Sequence, residues 1–125
     1  MPFSVVHDPE QDIVELHFTG VITPDDLTPS SEACFALQRQ TGSLRYLIDS
    51  DTWSLEVSSF DIHALPAKEY PKAEIDRRTR IAVVAPSNDQ ALANARFYED
   101  ACRNRGWNAR LLPDREAALA WLQGA

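Results

Sequence analysis

The chain reads as an α/β domain: a mixed β-sheet that opens with an N-terminal antiparallel hairpin and continues in βαβ units, with helices packed on the sheet. Three observations predict this. Two β-rich runs, 3–7 and 13–19, flank the turn cluster Asp8-Pro9-Glu10-Gln11-Asp12. The run RIAVVA at 80–85 is almost continuously apolar, the pattern of a strand buried on both faces of a parallel sheet. Helical patterns separate the later strands, as parallel neighbours require a crossover.

The elements follow in order. In the second run Val14, Leu16 and Phe18 alternate with Glu15 and His17, giving one core face and one wet face, and Gly20 breaks the run. Thr23-Pro24-Asp25-Asp26 carries the signals of a helix start: a capping hydroxyl, proline at the first position and acids in the first turn. Pro29 is expected to kink or restart that helix, which runs to about Gln40 with Gly42 as its stop. LRYLI at 44–48 is a short strand, and Asp49-Ser50-Asp51-Thr52-Trp53 after it reads as a turn. A helix over 59–65, capped by Ser58, is expected to end at Pro66. After the strand at 80–85, Ser87 and Gln90 spell a capping box for a helix with Ala91, Ala95, Tyr98 and Cys102 on one stripe, ended by Gly106. A last strand covers 107–112, and Asp114 caps a final helix containing AALAWL. The order is β-β-α-β-α-β-α-β-α.

A length of 125 residues suits a single domain spanning 1–125, and 44% hydrophobic with 25% charged residues fits a globular one. Cys34 and Cys102 lie in apolar helical patterns, where a free thiol is a small buried hydrophobe rather than half of a disulfide framework. The start MPFSVVHDPE lacks the basic and apolar regions of a signal peptide, and no run resembles a membrane span, so the expected location is cytoplasmic. The net charge of −7 argues against nucleic acid. That charge is uneven: residues 1–60 hold ten acids and two bases, whereas 61–125 hold nine acids and ten bases. Five of the twelve bases fall within 68–80, interleaved with Glu69, Glu74 and Asp76. That segment reads as a solvated loop and helix end, with a phosphate or lipid-headgroup site as the alternative.

Several landmarks in this order resemble the SpoIIAA-like group of the STAS (anti-sigma-factor antagonist) superfamily, which extends towards Sec14-like domains. They are Gly20 with the Thr23-x-x-Asp26 helix entry, LRYLID ending in Asp49, RIAVVAP, and the closing AALAWL helix. The resemblance covers nearly the whole chain. It implies a mixed sheet with helices and a regulatory or binding role without catalysis, whose partner is another protein or a second copy of the chain. Phosphorylated members of that group carry Asp-Ser-Ser-Gly at the start of a helix. Eight residues after Asp49 this chain has Val57-Ser58-Ser59-Phe60, so both serines are present but the acid and glycine are replaced. Ser58 and Ser59 therefore read as helix-capping hydroxyls, and the usual serine phosphoswitch is not expected.

No metal or cofactor site is expected. His7, His17 and His63 have no partner at metal-ligand spacing, there is no G-x-S-x-G elbow, and the four glycines form no phosphate-cradling loop. In open α/β sheets ligands bind beyond the carboxyl ends of the strands. That edge offers Asp49, Asp51 and Trp53 after one strand and Ser87 and Asn88 after the next, as candidate ligand- or partner-binding residues. Each is also ordinary turn or cap chemistry. Two functions remain: an interaction domain of STAS type, or a small-ligand, lipid-like carrier or enzyme using the strand-end cleft.

Overall fold

A computed structural model of the chain describes residues 3–55, 62, 64–87 and 89–124, with the backbone path alone at 20–22, 24 and 50–55. Among the described residues five strands form one sheet in sequential order. Strands β1 (Phe3–Asp8) and β2 (Ile13–Ile22) form the expected antiparallel hairpin. Parallel pairings then join β2 to β3 (Arg45–Leu55), β3 to β4 (Arg80–Val84) and β4 to β5 (Asn108–Leu112). The helices are α1 (Pro24–Thr41), α2 (a π-helical stretch Leu65–Glu69 running into Tyr70–Lys72), α3 (Asp89–Asn104) and α4 (Arg115–Leu122).

The crossover helices share one face of the sheet. Val14, Leu16, Phe18, Tyr46, Ile81 and Val83 pack there against Cys34 and Phe35 of α1, Tyr70 of α2, and Ala95, Tyr98 and Cys102 of α3. The opposite face carries Ile13, Leu47, Ala82 and Leu112 and is covered by Ala118, Trp121 and Leu122 of α4. This helix packs on β3, β4 and β5. Ala82 and Leu47 are fully buried between the two layers, which explains the continuous apolar runs around them.

Local chemistry sets the helix ends. The Thr23 amide and hydroxyl both donate to Asp26 Oδ2, at 2.9 and 3.1 Å. Gly42 ends α1 in the left-handed conformation (φ 75°), its amide donating to the Gln38 carbonyl at 2.8 Å. Asp114 caps α4 by accepting from the Ala117 amide at 2.8 Å.

Four local expectations are revised. Pro29 lies inside a single continuous α1, and the neighbouring Ser30 hydroxyl donates to the Leu27 carbonyl at 2.9 Å. Gly20 does not end β2; the register slips there instead, from Phe18↔Ser50 to Gly20↔Trp53, so two steps of β2 face three of β3. Residues 49–53 are strand rather than turn, because β3 stays paired with β2 as far as Ile22↔Leu55. The expected helix over 59–65 lies outside the described residues except at 62, 64 and 65, and Pro66 does not stop the helical path that 64 and 65 begin. The Tyr70 amide donates to the Leu65 carbonyl, five residues back, and the helix passes through Pro66 in this wider π form and through Pro71 in the α-helical turn that follows.

Candidate functional site

The crossover face contains a half-enclosed cavity of about 90 Å³ over the central strands. Its floor is Leu16 and Phe18 of β2, Ile48 of β3 and Val83 of β4. Leu27, Ser30 and Ser31 of α1 form one wall, Ile62, Leu65 and Tyr70 a second, and Asn94, Ala95 and Tyr98 of α3 a third. A lobe of about 20 Å³, space for one water, continues beneath it between Ser31, Cys34 and Tyr46.

The cavity has a cause in the sequence. The buried stripe of α1 steps through Leu27, Ser30, Cys34, Phe35 and Gln38, and that of α3 through Ala91, Ala95, Tyr98 and Cys102. Serine stands on one helix and alanine on the other where each reaches over the cavity. Two helices held at packing distance by the large residues further along cannot close over such small side chains.

Most polar groups buried around the cavity are partnered. The hydroxyls of Tyr70 and Tyr98 are hydrogen-bonded to each other where two of its walls meet. Tyr46 donates to Gln38 Oε1, and Gln38 Nε2 donates to Thr79 Oγ1 at 2.9 Å. Among the described residues, Asn94 Nδ2 is the buried side-chain nitrogen or oxygen that has no hydrogen-bond partner. An orphaned buried donor of this kind costs about 1–3 kcal/mol.

The lining contains no carboxylate, lysine, arginine or histidine among the described residues. Its titratable groups are neutral. Burial pushes both tyrosine hydroxyls well above the ordinary phenol range. The adjoining thiols of Cys34 and Cys102 are pushed up to about 12, again by burial. Such a surface can hold an apolar body and orient one acceptor group on the Asn94 amide.

The residues expected at the strand ends are distributed differently. Asp49 projects from β3 to the opposite face, where it is buried, and Arg115 Nη1 at the start of α4 donates to its Oδ2 at 2.9 Å. The other amino group of Arg115 is bonded to Glu15. Asp51 and Trp53 lie in β3 and their side chains are outside the described residues, as are Asn88 and both Ser58 and Ser59. Ser87 is exposed between β4 and α3. No described residue of that expected set lines the cavity. Sequence reasoning missed Ser30, Ser31 and Asn94; the available signal was a polar residue on or beside the apolar stripe of each of two helices.

No group of three or more His, Cys, Asp or Glu residues that could hold a metal occurs among the described residues, and no described helix is long and apolar enough to cross a membrane. Comparison of the chain with family models, curated proteins and solved structures returned no match.

Proposed function

We propose that this protein is a non-catalytic binding module for a small, largely apolar molecule that carries a neutral hydrogen-bond acceptor such as an ester or amide carbonyl. The observation that carries this reading is the buried Asn94 amide, without a hydrogen-bond partner among the described residues, facing an apolar cavity over the central strands. Among the described residues the lining supplies contact area and the Asn94 donor but no acid, base or activated nucleophile, which favours binding over turnover.

The test is titration with methyl octanoate followed by backbone amide NMR. Saturable shifts at Ser30, Ser31, Asn94 and Ala95 are expected, and filling the cavity with Ala95→Leu should abolish them. Absence of saturable shifts, or equal binding by the filled variant, would overturn the reading.

The regulatory, protein-docking role implied by the STAS resemblance has one supporting observation. Helix α4 covers β3, β4 and β5, and Val6 on the remaining part of that sheet face is 54% exposed. Its test is Val6→Glu: a docking partner captured by the wild type should be lost by this variant, while methyl octanoate binding persists.

A further inference from the structure

We infer that the opposite end of the sheet holds an oxyanion site, selective for the phosphate group, formed by Arg45, Arg80 and Arg78. Arg45 and Arg80 are direct register partners at the amino ends of β3 and β4. They lie two residues before Leu47 and Ala82, so strand alternation puts them on the α4 face, about 4.8 Å apart along the sheet. Two like charges directly opposite on paired strands repel, so this placement needs a counter-charge.

Part of the compensation comes from the end of α4. Arg45 Nε donates to the Leu122 carbonyl at 3.0 Å, and Arg80 Nη1 donates to the Trp121 carbonyl at 2.6 Å. These anchors fix the two guanidinium groups side by side without exhausting them. Arg80 uses one of its five N–H donors on a hydrogen bond among the described residues. Arg45 adds only a 3.7 Å approach to Asp12, whose other oxygen lies 3.0 Å from His7 Nε2.

The pair faces a cavity of about 320 Å³ that is also lined by Arg78 and by Asp12. Arg78 is paired with Asp76, at 2.8 Å and 3.1 Å, in the exposed turn preceding β4. Three guanidinium groups face the carboxylates of Asp12 and Asp76 and the partial negative charge at the end of α4, about half a charge, which leaves a small positive excess in a chain of net charge −7. A carboxylate could be satisfied by one arginine fork. Three guanidinium groups that reach a cavity of this size from two strands and a turn, each with N–H donors left over from these anchors, suit a tetrahedral group with more oxygens. This gives a role to the basic segment 68–80 that the apolar cavity does not use.

The experiment follows the Arg45, Arg78 and Arg80 side-chain Nε–H resonances while inorganic phosphate replaces chloride at constant ionic strength. Saturable shifts of Arg45 and Arg80 are expected. Arg80→Gln should weaken phosphate affinity at least tenfold and Arg78→Ala at least threefold, while Arg96→Gln, on exposed α3 surface, leaves it unchanged. Arg78 anchors no helix end, so it carries the test if Arg80→Gln fails to fold. Co-sedimentation with phosphatidylcholine vesicles, with and without phosphatidic acid, distinguishes the source of the phosphate. Capture dependent on phosphatidic acid and on Arg80 identifies a lipid headgroup, and saturable phosphate binding without capture identifies a soluble phosphate ester. Non-saturable drift of the arginine resonances, or unchanged affinity in both Arg78→Ala and Arg80→Gln, would overturn the site.

Discussion

The indole Nε1 of Trp107 donates to the backbone carbonyl of Pro66 at 3.0 Å, in the buried seam between α2 and the start of β5. Both helical donors that could have claimed this carbonyl are missing. The Tyr70 amide bonds Leu65 instead, and Pro71, five residues on, has no N–H. The π-helical turn thus presents a free carbonyl, and the tryptophan uses it. Tyr70, which forms one wall of the apolar cavity, is held by the same arrangement, edge-on to Trp107 at 5.5 Å and to Phe35 at 5.9 Å between ring centroids.

Trp107→Phe should therefore cost more than a loss of ring size. Leaving the Pro66 carbonyl buried and unbonded costs about 1–3 kcal/mol, and some packing is lost in addition. Arg77 lies over the indole at 3.7 Å but is exposed, so Arg77→Ala should cost only about 0.5–1 kcal/mol. Urea unfolding of both variants checks the order, and equal losses would contradict it.

Arg115 is predicted to act as the counter-ion that allows Asp49 to be buried in β3. Arg115→Met should destabilise the fold by about 1–3 kcal/mol, because it leaves a buried carboxylate with its charge uncompensated. In an Asp49→Asn background the same change should cost appreciably less, since the charge is gone. A double-mutant cycle measures this coupling, and strict additivity would show that the two residues act independently.

The buried thiols predict an alkaline limit to stability. The folded-state pKa values of Cys34 and Cys102 are raised from 9.0 to about 12 by burial, so the native state retains protons that the unfolded state releases. Their contribution is complete below about pH 9 and is lost as pH rises towards 12. Urea midpoints should fall across that window, and Cys34→Ala with Cys102→Ala should flatten the fall. An unchanged slope would contradict the assignment. For the same reason native protein should resist iodoacetamide at pH 8 and react only after unfolding.

Much of the fold was legible because local and long-range preferences agree. RIAVVA has both strand propensity and two buried faces, and Gly42 and Asp114 are terminators whose chemistry is local. Disagreement arose where tertiary contacts override local preference. Asp49-Ser50-Asp51-Thr52 has turn chemistry, yet continued pairing with β2 holds it extended. Pro66 breaks an α-helix but is accommodated in a π turn, with Trp107, 41 residues away, satisfying the carbonyl. The cavity was not legible for a related reason. It exists because Ser30, Ser31 and Ala95 line one cavity from two helices, and that juxtaposition is set by the sheet beneath both. Only the polar residues Ser30, Ser31 and Asn94 on or beside the apolar stripes of the two helices marked it in the sequence.

The most direct measurement compares stability and affinity in one variant, Asn94→Leu. This exchange removes the unpartnered amide while nearly preserving side-chain size. If Asn94 is retained for ligand recognition, the variant should be more stable to urea by about 1 kcal/mol, and should bind methyl octanoate at least tenfold more weakly. A variant that is less stable and binds the ester as tightly as the wild type would contradict the account.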